Sequence, residues 1–257
     1  MRSRHLLLAA LVIAVAAPRA ADAAPRHAKA KATKPAKVAK KRAVTRRRAR
    51  AHATASRRTG TRRGGLSMAL NMPPGWRWPP SPAMIAAGKS CTDRLDELGV
   101  EWKPAPALEK VATPITVPAM TFGGIRIVSW FRRPPFVMDC HLALALATFA
   151  KDLHDLGIRQ MKFSRIYGYT PVRVGGKTKP ILSRHALGLA MDVWSVTDAD
   201  GHESVVATDY KAGDPMLLRL ETFLNDSGGF RTVLTPANDP ISHRDHFHIE
   251  AKVDYGP

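Results

Sequence analysis

The hydrophobic pattern changes period several times along the chain, and each change marks an element. Asp139 to Leu156 carries Leu142, Leu144, Leu146, Phe149, Leu153 and Leu156, a broad apolar face of helical period, with Gly157 as terminator. A second helix is expected over about Pro215 to Leu224, with Met216, Leu217, Leu220 and Phe223 on its apolar face and Gly228-Gly229 beyond its end. A shorter one, capped by Ser90, ends near Leu98-Gly99. Strands are expected at Ile115–Val117, Ile125–Phe131, Gln160–Tyr169, Leu189–Ser195, Thr232–Leu234 and His246–Ala251. Phe131-Arg132-Arg133-Pro134-Pro135 reads as a break. Thr170 to Pro180, with Gly175, Gly176 and two lysines, reads as an exposed loop. Strands interleave with helices without βαβ regularity, and no repeat is present. The pattern therefore predicts an α+β fold, a small antiparallel sheet with helices packed on it.

The first 87 residues do not share that pattern. Met1 to His5 is short and basic, Leu6 to Ala17 is apolar, and Ala21-Asp22-Ala23 has the small-x-small form of a signal-peptidase site. Residues 1–23 are read as a secretory signal, too short for a membrane span. Residues 24–65 hold 16 Lys and Arg, no acidic residue and no aromatic one, and are expected to be a disordered basic tail. This segment carries nearly all of the formal charge of +19. Its composition resembles nucleic-acid-binding tails. With an export signal in front, the expected polyanions are instead wall polymers, lipid headgroups or lipopolysaccharide, the alternative being a solvated spacer. Residues 66–87 form a Pro- and Trp-rich connector, and residues 88–257 the folded domain. The expected location is periplasmic or secreted.

In an exported chain the only two cysteines, Cys91 and Cys140, read as a disulfide. It would close a loop worth roughly 3–4 kcal/mol in the chain-entropy account.

Candidate chemistry is concentrated in two segments, Ser183-Arg184-His185-Ala186-Leu187-Gly188-Leu189-Ala190-Met191-Asp192 and Ser242-His243-Arg244-Asp245-His246-Phe247-His248. Imidazole and carboxylate together suit a divalent zinc ion. On one continuous helix His185 and Asp192 would lie roughly 10 Å apart along the axis, too far for a common ion. The chain must bend between them, and Gly188 permits it. His185 is expected on a turn or short helical piece and Asp192 on the strand that follows. His246-Phe247-His248-Ile249 alternates, so both histidines share one strand face while Phe247 and Ile249 enter the core. His141 and His154 lack partners at ligand spacing and read as structural. Ser183 reads as a cap for the turn before His185, since the flanking glycines of a nucleophile elbow are missing.

A His-x6-Asp pair followed by a distal His-x-His is similar to the superfamily of zinc peptidases that includes D-Ala-D-Ala carboxypeptidases and lysostaphin-type wall hydrolases. The surroundings, from Cys91-Thr92 through Leu182-Ser183-Arg184-His185 and Thr232-Val233-Leu234-Thr235-Pro236 to His243–His248, more closely resemble the bacterial extensin-like C-terminal domain over roughly residues 88–252. The resemblance implies the D-Ala-D-Ala carboxypeptidase/Hedgehog-like architecture and a zinc site formed by His185, Asp192 and His248. It also implies peptidoglycan as the substrate, with an amide bond in its peptide part as the target. Three protein ligands leave a position for water. Two residues compete as general base: His246, favoured because it shares the face of His248, and Asp245, three before His248, where some relatives place an acid. An arginine before the first ligand is implied as a stabiliser of developing charge, with Arg173 fitting best and Arg165 next. His243 is expected to hold a ligand or the substrate. The alternative is a wall-binding module that keeps zinc without hydrolysis.

Overall fold

The computed structural model describes residues 71–256. The expected signal, the basic tail and the first five residues of the connector lie outside the described residues.

The elements run α1 (Pro82–Glu97), β1 (Lys103–Pro104), β2 (Pro114–Thr116), β3 (Thr121–Phe122), β4 (Ile125–Ser129), β5 (Val137–Asp139), α2 (Cys140–Thr148), α3 (Ala150–Asp155) and β6 (Ile158–Arg165). They continue with β7 (Pro171–Val174), β8 (Lys177–Leu182), a 3-10 turn (Arg184–Leu187), β9 (Ala190–Asp198), β10 (Glu203–Val205), α4 (Val206–Asp209), α5 (Pro215–Asp226), β11 (Phe230–Leu234) and β12 (Phe247–Ala251). The main sheet has seven strands in the order β11-β12-β9-β6-β4-β3, with β10 beside β9. A three-stranded sheet, β1-β2-β5, and the hairpin β7-β8 complete the α+β fold.

The sheet is mixed rather than antiparallel, because β4 and β6 run parallel. Their connection contains α2 and α3, and a parallel pair needs such a crossover in place of a tight turn. One βαβ unit is thus present where none was expected. The helices pack on one face of the sheet, α2 against β12, α3 against β4 and β6, and α5 against β11. Phe163, Met191, Val193, Phe247 and Ile249 point into that layer and join Leu142, Leu146, Leu217 and Leu220 in a single core. Over β4 and β6 the opposite face is open and carries polar pairs such as Arg126–Gln160 and Lys162–Glu203.

Three local expectations change. The first helix starts well before Ser90: Ser81 Oγ accepts from the backbone N–H of Met84, and Pro82 occupies the first turn. Part of the expected connector therefore belongs to the fold, and Tyr255 N–H donates to the Pro74 carbonyl at 3.0 Å. The long helix is interrupted at Phe149. Its ring packs against Phe223 and Phe230, in space that a Cβ on Gly229 would occupy at 1.9 Å, so tertiary packing overrides the helical period. The expected loop at 170–180 is a hairpin, because Gly175 and Gly176 both have positive φ (57° and 74°) and make a tight turn.

The disulfide Cys91–Cys140 joins α1 to the first residue of α2, as expected. Asp139, just before it, caps α2 by accepting from the N–H of His141 and also accepts from Thr113 N–H. No helix among the described residues is long and apolar enough to cross a membrane.

Candidate metal centre

The bend anticipated between His185 and Asp192 is built from short-range pieces. Ser183 Oγ accepts from His185 N–H at 3.3 Å and starts the 3-10 turn, and Gly188 ends it at φ 67°. A Cβ on Gly188 would lie 2.6 Å from the Asp139 nitrogen, whose N–H donates to the Gly188 carbonyl. The bend is therefore pressed against the disulfide-bearing start of α2. β9 then leaves the turn, and its register sets Asp192 directly opposite His248 of β12. Cross-strand partners share a face, so a helical turn and two strands deliver three potential ligands, two imidazoles and a carboxylate, to one point.

Nε2 of His185 lies 3.0 Å from Asp192 Oδ1 and 3.1 Å from His248 Nδ1, and the last two atoms are 2.9 Å apart. All three side chains are buried. Their rings are held from behind. Nδ1 of His185 donates to the Ile166 carbonyl at 2.8 Å, and Nε2 of His248 donates to Glu250 Oε1 at 3.2 Å. Such outer partners fix the tautomer and turn the remaining nitrogens inward. Two imidazole nitrogens and a carboxylate oxygen then converge where only a cation or a shared proton can reconcile them. The trio fits a metal ion: ligands at about 2.1 Å in a tetrahedral shell are about 3.4 Å apart, a few tenths of an ångström wider than here. His185, Asp192 and His248 are the described residues whose ligand atoms gather closely enough to hold one.

Without metal, protons do that work. Burial would raise the Asp192 pKa, but charge and hydrogen bonds from His185 and His248 hold it well below the usual range. Burial opposes charge on His248, yet the bonds to Asp192 and Glu250 prevail and raise its pKa to about 9. Glu250 is held down to about 2, the pull of His248, Arg184 and Arg231 outweighing its burial. Arg184, itself fully buried, stays a cation because its pKa falls only to about 10.

A family model for the extensin-like protein C-terminus matches residues 89–256. The chain belongs to the extensin-like C-terminal family. Neither the curated proteins nor the solved structures contain a match to it.

The remaining candidates of the extensin-like domain surround the trio in a cleft of about 920 Å³. His246 and Asp245 are partners rather than rivals in space: Nδ1 of His246 lies 2.8 Å from Asp245 Oδ1, and its Nε2 is 3.6 Å from Asp192 Oδ1. His243 forms a second Asp–His pair, Nδ1 to Asp239 Oδ2 at 2.9 Å, and its ring centroid is 5.0 Å from that of His246. Burial lowers the His243 pKa and keeps the ring neutral. Arg173 lies on the hairpin, paired with Thr178, and lines the cleft. Arg165 also lines it and is the β6 register partner of Asp192, a closer tie to the trio than Arg173 has.

Three residues escaped the sequence reading. Glu250 stands two positions after His248 on the same strand face, and that period was a usable signal. Asp239, which also accepts the Gly175 N–H at the hairpin tip, stands four residues before His243, and that i,i+4 spacing was a usable signal too. Arg231, which pairs with Glu250, offered none, since only folding brings the two strands together.

Proposed function

We propose that the extensin-like domain is a zinc-dependent peptidase, exported from the cell, that hydrolyses an amide bond in peptidoglycan stem peptides or cross-links. The observation carrying this reading is the ligand trio with the Asp245–His246 pair beside it in one cleft. Zinc held by His185, Asp192 and His248 would supply Lewis acidity and an activated water. The chain's residues handle the proton. Asp245 accepts the Nδ1 proton of His246, so Nε2 is left with its lone pair toward the trio and can serve as general base. Having taken a proton there, His246 is an imidazolium steadied by Asp245, and it returns that proton to the departing amine. Arg165 or Arg173 supplies positive charge where the carbonyl oxygen becomes anionic, and His243, kept neutral, offers an acceptor to a substrate N–H. Peptidoglycan as substrate comes from the family resemblance, and export from the leader.

The test uses purified cross-linked muropeptides with the products resolved by mass. New amine and carboxyl ends that vanish with chelator and return with zinc are expected. A folded, zinc-loaded protein that binds these fragments and leaves every amide intact would replace the peptidase with a wall-binding module.

A further inference from the structure

The open face of the sheet carries a second feature on the strand that supplies Asp192. Lys162 pairs with Ser195 and Phe163 with Val193, so β9 has one residue with no β6 counterpart, Trp194. Bulges redirect a side chain. Val193 and Val196 remain in the core, while Trp194 is only half-buried and turns to the open side. Trp130, just past β4, lies flat on it, with ring centroids 4.3 Å apart and planes 7° from parallel. Phe131 stands upright against Trp130 at 88° and 5.6 Å. Trp130 is 52% and Phe131 60% exposed. The turn that presents them is tied down at both ends: Trp130 N–H donates to the Phe163 carbonyl at 2.8 Å, and Arg132 N–H to Ser129 Oγ at 2.9 Å.

We infer that Trp130, Phe131 and Trp194 form a stacking platform for a neutral, N-acetylated sugar ring, seated beside the metal centre on the same sheet face. A pyranose presents a flat row of C–H groups, slightly positive, to the negative face of an aromatic ring, and the supported indole of Trp130 offers such a face. Hydroxyl and acetamido groups then project toward polar side chains at the edge. Lys162, bonded to Glu203 at 2.7 Å, borders the bulge and fits that part. Two exposed aromatic side chains over a half-buried third fall far short of the ~800 Å² per partner that a stable protein contact buries. Lys162 is already paired with Glu203, whereas the exposed Arg132 lies 5.3 Å from the Phe131 ring centroid and leaves a cation at the rim, so a phosphate-bearing polymer is the rival that the oligonucleotide below tests. Trp194 is two residues from Asp192, roughly 7 Å along the strand, so a sugar on the platform would adjoin a peptide in the cleft. That the sugar belongs to wall glycan rests on the peptidoglycan reading; the affinity for the saccharide does not.

The full chain, zinc-loaded, is titrated with the neutral tetramer of N-acetylglucosamine, read by tryptophan fluorescence and calorimetry. Saturable binding is expected, weakened about five- to tenfold in Trp130→Ala and less in Trp130→Phe, with zinc content retained in both. Trp194→Ala, which removes the support, weakens it similarly. Absence of saturable binding, equal affinity in Trp130→Ala, or Trp130-dependent binding of oligothymidylate in place of the saccharide would each overturn the platform. Saccharide binding that depends on Trp130 in a protein unable to cleave muropeptides removes the peptidase and leaves the platform. Cleavage without saccharide binding does the reverse.

Discussion

The two faces of the β9–β12 pair are buried almost equally and for opposite reasons. On the inner face Met191, Val193, Phe247 and Ile249 are fully excluded from solvent and contribute transfer free energy and packing. On the outer face Asp192, His248 and Glu250 are 5–7% exposed, and burying such groups costs free energy unless each finds a partner. They find one another, and the chain of contacts continues outward to Arg231. One strand pair thus holds a stabilising apolar surface and a costly polar one, a single residue out of phase.

The comparison breaks most sharply under substitution to alanine. Phe247→Ala should cost ~3–5 kcal/mol of stability, the usual range for a large core side chain, read as a shift in the denaturation midpoint. Asp192→Ala, His185→Ala or His248→Ala should instead abolish bound zinc and hydrolysis together. A zinc-replete, active Asp192→Ala protein would remove this residue from the ligand set.

His246→Ala tests the polar surface while leaving the three potential ligands in place. The variant is expected to keep its zinc and lose about 10²- to 10⁴-fold in rate. Asp245→Asn, which weakens the hold on Nδ1, should lose less. A larger loss in Asp245→Asn would make the carboxylate the base and His246 its support.

The outer face should also respond to pH as the inner face does not. In the metal-free protein His248 has its pKa raised to about 9 from the ordinary 6.5. Folding therefore favours the imidazolium, and that contribution is complete below pH 6.5 and is lost as pH rises through 9. The loss is on the order of 3 kcal/mol. Zinc must displace a proton from His248, so its affinity should rise across the same window. Denaturation of the chelated protein at pH 6 and pH 9.5 measures the first effect. Equal stability at both values would rule out the proton-bridged trio.

The smallest expected effect concerns the support of the trio. Glu250→Gln retains an acceptor for His248 but removes its charge, and zinc affinity should fall about 10- to 100-fold in competition with a chelating dye. Unchanged affinity would show that Glu250 serves Arg231 and Arg184 alone.

How much of this was legible in the sequence follows from which contacts are local. Helix 215–226, the disulfide partners, the turn at Ser183–Gly188 and the alternation at His246–Ile249 depend on neighbours within a few positions or on a unique pairing, and residue type with spacing determined them. The hairpin at Gly175-Gly176 and the helix cap at Ser81-Pro82 are equally local, and the Gly-Gly and Ser-Pro pairs are their signals. The tertiary structure alone decided the rest. Pairing Asp192 with His248 needs a register between strands 56 residues apart, and the parallel β4–β6 pair needs a crossover whose path no local propensity encodes. The break at Phe149 comes from rings on α5 and β11. Asp245 and His246 are neighbours in sequence, yet only the entry into β12 aims one at the trio and sets the other behind it. Short-range sterics and periodicity are written along the chain; register, ring packing and the meeting of distant polar atoms arise when the core closes.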